Sequence, residues 1–138
     1  MKQLILVCLI MVSVQLYGQD STKVGTPIIV AKLYLGKSLN IDNVEVKFVK
    51  VLQDSRCPKG VTCIWAGEVI VLVDVFKEGK KFETQKITIN SKIPLKSRFG
   101  NLFSSDDVTI SALNVQPYPI YDKKINPEDY YIQLEIKR

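Results

Sequence analysis

YYIQLEIK, residues 130–137, alternates without a break: Tyr130, Ile132, Leu134 and Ile136 stand on one parity, Tyr131, Gln133, Glu135 and Lys137 on the other. A period of two sends successive side chains to opposite faces of a strand, so this segment is a strand with one face in a core and the other in water. The same period recurs upstream. EVIVLVDVF, residues 68–76, is apolar on both parities except at Asp74, the pattern of a central strand covered on two sides. KEGK, residues 77–80, supplies a turn with Gly79 free to take positive φ, and residues 81–90 return with Phe82, Ile87 and Ile89.

Earlier in the chain, residues 28–35 open with a β-branched run that stops at Gly36, and residues 38–41 form a short strand. Val44, Val46 and Phe48 then alternate with Glu45 and Lys47, but Val49 and Val51 fall on the opposite parity, which predicts a bulge near Phe48. Residues 91–106 carry Pro94, Gly100 and several serines and asparagines. They read as a long surface connection, with one short strand near residues 93–95 and with Phe99 and Phe103 tucking it down. Residues 108–116 are another strand whose parity changes between Ile110 and Leu113, and Pro117-Tyr118-Pro119 ends it, because neither proline can donate to a ladder.

No segment keeps a 3.6-residue period beyond two turns. The fold class is therefore all-β: about seven strands in an antiparallel β-sandwich, immunoglobulin-like in topology, with a small β-barrel as the alternative. Residues 28–138 form this single domain, preceded by a short linker at residues 19–27.

Residues 1–18 read as a secretory signal: Lys2 is basic, residues 4–16 are apolar apart from Ser13 and Gln15, and cleavage falls after Gly18. The run is too short to span a hydrocarbon core of roughly 30 Å, so the mature chain carries no transmembrane segment, and its localisation is periplasmic or secreted. Ile5-Leu6-Val7 before Cys8 lacks the small residue that precedes a lipid-modified cysteine. Signal removal leaves Cys57 and Cys63, which in an oxidising compartment pair as a disulfide. Their C-x5-C spacing is not the C-x-x-C of redox-active pairs. Nor do two cysteines in a chain without histidine make a structural zinc site, and no metal or cofactor is expected.

The full chain has 19 basic and 14 acidic residues; loss of Lys2 leaves 18 against 14, a net charge of +4. The basic residues are scattered through turns, with no aromatic interleaving, so nucleic acid is not a partner. Without histidine the usual catalytic triads and dyads are absent, and the serines show neither a G-x-S-x-G elbow nor an S-x-x-K pair. An enzyme is not expected.

DSRCPKGVTCIWAG, residues 54–67, concentrates both cysteines of the mature chain with the only tryptophan and two glycines. Pro58 fixes φ, Gly60 and Gly67 reach conformations closed to other residues, and Trp65 is placed to cover the disulfide as an apolar lid. Asp54 and Arg56 can pair with each other or with loop backbone. The functional alternative is a binding patch of Arg56, Lys59 and Trp65. Tyr118 and Tyr121, among Pro117, Pro119 and Ile120, are a second candidate surface. Asp106-Asp107 and Glu128-Asp129 lack the alternating acids of a calcium loop.

Residues 54–58, Gly60, Val61, Cys63 and residues 65–67, together with residues 115–119 and Tyr130, resemble a family of small exported bacterial proteins with a DSRCP-x-G-V-x-C-x-W-A-G motif and a V-x-PYP segment. The resemblance spans nearly the whole mature domain and implies export and one domain; the family carries no activity to transfer. The functional expectation is a binding or accessory module of the envelope, its partner a protein, glycan or other envelope component. The alternatives are a purely structural domain and an inhibitor of a hydrolase.

Overall fold

The computed structural model describes residues 28–90 and 100–138. The signal, the linker, the short strand predicted at residues 93–95 and Phe99 lie outside the described residues. Among the described residues eight strands run in chain order: β1 (Ile28–Tyr34), β2 (Ser38–Ile41), β3 (Val44–Asp54), β4 (Glu68–Lys77), β5 (Lys80–Asn90), β6 (Gly100–Ser104), β7 (Thr109–Gln116) and β8 (Tyr131–Lys137), with a 3-10 turn at Pro127–Asp129. β6 lies inside the predicted surface connection; its only sequence signal is Leu102-Phe103 between polar neighbours.

The strands form two four-stranded antiparallel sheets, β1-β8-β7-β6 and β2-β3-β4-β5. Both inner faces feed one core: Val46, Phe48, Val69, Val71, Val73 and Val75 from one sheet meet Leu33, Ile110, Val115, Ile132 and Leu134 from the other. Neighbours follow chain order throughout, and only β1 with β8 joins distant strands. The strand order does not give the expected immunoglobulin-like topology: within each sheet consecutive strands follow as a meander, and the long connections after Asp54 and Gln116 each lead to the strand paired with the one they left. The order is that of an up-and-down barrel opened at two seams. At the β5/β6 seam the Gln85 side-chain amide donates to the Leu102 carbonyl at 3.0 Å, standing in for a ladder bond.

The parity slip in β3 is a bulge: Phe48 pairs with Val73 and Lys50 with Leu72, which leaves Val49 extra. A second, unpredicted bulge leaves Leu52 extra, and both displaced residues are exposed. Two bulges, not one, matter for the site. They return Asp54 opposite Val69, whose side chain is fully buried, and so put Asp54 on the inner face at the end of its strand. In β7 the parity change falls at Leu113, the bulge between Ala112 and Asn114. In β5 it is Phe82 that bulges out, exposed and edge-to-face with Phe103 at 6.4 Å.

β4 corrects one expectation. Val69, Val71, Val73 and Val75 are fully buried, whereas Ile70, Leu72, Asp74 and Phe76 are only half-buried. Among the described residues no second layer covers that face; β3 and β5 flank it, and Asp74 takes a hydroxyl bond from Thr84 at 2.6 Å and a salt bridge from Lys81 at 2.9 Å.

Antiparallel pairing sorts the connections. The two-residue turns at Asp42-Asn43 and Glu78-Gly79 close one end of the second sheet, whereas the connections after Asp54 and Gln116 leave from the other end. These long connections hold the DSRCP motif and the PYP segment.

Candidate functional site

Asp54 and Arg56 form a clamp across the sandwich. The guanidinium donates twice to the Asp54 carboxylate, Nε to Oδ1 at 2.7 Å and Nη2 to Oδ2 at 2.6 Å, the fork geometry that makes arginine–carboxylate pairs strong. It then donates to two carbonyls of the opposite sheet and the chain just beyond it, Val115 at 2.6 Å through Nη1 and Pro117 at 3.0 Å through Nη2. The Tyr130 hydroxyl, entering from between the 3-10 turn and β8, donates to Asp54 Oδ2 at 2.9 Å. Both charged side chains are almost wholly buried, 8 % exposed for Arg56 and 10 % for Asp54.

The clamp shifts two proton affinities. Burial alone raises the pKa of Asp54, but the hydrogen bonds and charge of Arg56, with the Tyr130 hydroxyl, outweigh it and hold the carboxyl below the ordinary aspartate value. Burial and the neighbouring Asp54 carboxylate push the Tyr130 phenol up to about 12.

Beyond Arg56 the loop is closed by the Cys57–Cys63 disulfide, its Cα atoms 5.9 Å apart. The base of the loop is narrow: Ser55 N–H donates to the Glu68 carbonyl at 2.8 Å and Cys57 N–H to the Ala66 carbonyl at 2.9 Å. Gly67 sits at φ +68°, and a Cβ there would fall 1.8 Å from the Ser55 carbonyl oxygen. No other residue fits that crossing.

The bridged loop is zipped to the PYP segment. Lys59 N–H donates to the Pro119 carbonyl at 2.9 Å and the Lys59 carbonyl accepts from Tyr121 N–H at 3.0 Å, a one-residue parallel bridge centred on Ile120. Tyr118 lies under two cations, its ring centroid 5.0 Å from the Arg56 guanidinium and 5.7 Å from Lys59 Nζ. The two surfaces that the sequence separates are therefore one.

Within this surface the sequence-predicted residues divide. Arg56 faces inward, bonded to internal acceptors, so it holds the scaffold rather than waiting for an anion. Tyr118 is half-buried against it. Lys59 and Tyr121 are exposed. Trp65, which the spacing places as an apolar lid beside the disulfide, is 72 % exposed. Beside it Ser55, Ala66, Gly67, Glu68 and Asn90 line a shallow cleft. A second cleft of about 180 Å³ opens between Arg56, Gly67, Val115 and Tyr118. Ile120, placed by the sequence within the second candidate surface, is exposed; sequence reasoning missed Ile64, which is 95 % exposed and the most exposed large apolar side chain of the described residues. The signal for Ile64 was its position: an isoleucine between Cys63 and Trp65 has no strand on which to be buried.

Among the described residues no three histidine, cysteine or acidic side chains gather to hold a metal, and no helix is long and apolar enough to cross a membrane. Compared with models of known protein families, with curated proteins and with solved structures, the chain matches none. The site must be read from its own geometry.

Proposed function

We propose that this protein is an exported, non-catalytic binding module of the bacterial envelope, acting through the bridged loop and the PYP segment joined to it. One observation carries the reading: Ile64 and Trp65 project into solvent from a loop that a disulfide, a buried ion pair and two backbone bonds to the PYP segment hold rigid. Exposing such side chains has no folding benefit, since burial of an isoleucine is worth about 1.5–3 kcal/mol. A preorganised loop binds without an ordering penalty. The absence of catalysis is part of the proposal, supported by the lack of histidine and by the internal use of the best-placed acid, Asp54. The resemblance of the DSRCP and PYP motifs to small exported bacterial proteins belongs to the same reading.

The test is a photo-crosslinking residue at position 64 of the exported chain, with one at Lys86 on β5 as the control. Discrete adducts from position 64 and none from position 86 are expected in intact envelopes. Absence of adducts at position 64 would leave the loop a purely structural crossover.

A further inference from the structure

We propose that the outer face of β1, β8 and β7, with the cleft that β7 borders, is a binding site for a neutral saccharide, separate from the tip of the bridged loop. Cross-strand register sets the outward side chains in rows: Tyr34, Tyr131 and Gln116 form one, and Lys32, Gln133 and Asn114 the next. Directly opposed residues share a face, and the buried Ile132 and Leu134 take the other parity of β8 into the core. Neighbouring strands lie about 4.8 Å apart and successive outward residues about 7 Å apart, so the six side chains cover roughly 10 by 7 Å, room for one or two sugar rings.

Two features of this patch call for a ligand. The first is unspent hydrogen-bonding capacity in its carboxamides. Asn114 Nδ2 donates to Gln133 Oε1 at 2.9 Å, but the buried Asn114 Oδ1 accepts from nothing. Among the described residues the Gln133 side-chain amide and the Gln116 carboxamide have no partner either. Buried polar groups are nearly always satisfied, so an orphan is accounted for by what binds beside it. Asn114 and Gln116 also line the cleft of about 180 Å³ next to Val115 and Tyr118, and a molecule held there meets the same carboxamides. The second feature is an aromatic pair: Tyr34, 45 % exposed, and the half-buried Tyr131 stand with ring centroids 5.3 Å apart.

These groups match the chemistry of a sugar. A carboxamide both donates and accepts, as a hydroxyl does, and the negative face of an aromatic ring attracts the polarised C–H groups of a pyranose. Charge argues against the other ligands. Lys32 is the only charged residue of the two rows, its Nζ 5.0 Å from the Tyr131 ring centroid. In the following row Glu135 is paired with Lys137 at 3.1 Å, and at the cleft Arg56 is matched by Asp54. A polyanion needs a cluster of cations, and the centre of a protein interface is mostly apolar. A nearly uncharged patch of amides and rings suits a neutral, hydroxyl-rich ligand.

The test titrates the isotope-labelled exported chain with cellohexaose, maltohexaose and N-acetylated chitohexaose, and with heparin as a polyanion, while the side-chain amide signals are followed by NMR. At least one hexaose should shift the signals of Asn114, Gln116 and Gln133, and heparin should not. Tyr34→Ala and Gln133→Ala should each weaken that binding roughly tenfold, with unfolding midpoints near wild type confirming that both are folded. Ile64→Ser should leave it unchanged. No shift with any hexaose, shifts confined to other residues, or preference for heparin overturns the proposal. Hexaose binding without crosslinks from position 64 keeps this site and rejects the loop as a binding surface; crosslinks without hexaose binding do the reverse.

Discussion

The Arg56 guanidinium donates to the backbone carbonyl of Val115 at 2.6 Å, joining residues 59 positions apart and tying the loop after β3 to the opposite sheet. With its bonds to Asp54 and Pro117, this contact fixes how the two sheets meet at the end that carries the candidate surface.

Removing one partner of a buried pair strands the other. Arg56→Ala leaves the Asp54 carboxylate and the Val115 and Pro117 carbonyls without this donor, and should lower stability by about 3–5 kcal/mol. Asp54→Asn combined with Arg56→Ala should lose less than the sum of the two single changes, since they share one network. Denaturant unfolding of the four species measures both effects.

Two pH dependences follow from the same cluster. The folded carboxyl of Asp54 lies below its ordinary value of 3.8, so the unfolded chain binds its proton first; stability from this group is full above about pH 4 and is lost as pH falls through the folded value. Asp54→Asn should flatten the acid limb of the unfolding midpoint against pH.

At the alkaline end the direction reverses. Tyr130 is raised from 10.0 to about 12, so between those values the unfolded chain has lost a proton that the folded chain keeps. Its contribution is full below about pH 10 and falls as pH rises toward 12. Tyr130→Phe should be less stable at pH 8 by about 1 kcal/mol, the net worth of one hydrogen bond, and should lose less stability than wild type on going from pH 9 to pH 11.5.

Gly67→Ala is expected to be among the most damaging single changes in the loop. Its methyl would overlap the Ser55 carbonyl oxygen in a left-handed conformation, and the backbone at the loop base must move. A loss of about 2 kcal/mol or more is expected, whereas Gly79→Ala, with nothing near its Cβ, should lose only the positive-φ penalty of about 1 kcal/mol. Thermal unfolding of the pair separates the crossing from the turn.

The Cys57–Cys63 bridge closes a short loop away from the core. Chain entropy gives it about 2.4 kcal/mol, so Cys57→Ser with Cys63→Ser should remain folded at room temperature with a lower midpoint. Amide exchange should quicken at Lys59 and Tyr121, which hold the zipper, and stay slow at Val71 and Leu134 in the core.

How much of this was legible in the sequence depends on the range of the interaction. The inward residues of β8, the Glu78-Gly79 turn, the bulge at Val49 and the cysteine pair are all local: a period of two, a glycine at a tight turn or two thiols six positions apart carry their own instructions. Leu52 gave no such sign, because a second parity slip three residues after the first cancels it, and only pairing with β4 reveals it. Strand order, the inward turn of Arg56 and the union of the DSRCP loop with the PYP segment belong to the tertiary structure alone. Whether an arginine beside an aspartate faces water or core is set by which carbonyls the opposite sheet brings within reach, and those of Val115 and Pro117 arrive from about sixty residues away. By itself the sequence determined an all-β chain with a bridged loop between two strands; the packing of the sheets decided that Arg56 locks the loop from within and that Ile64 and Trp65 are left outside.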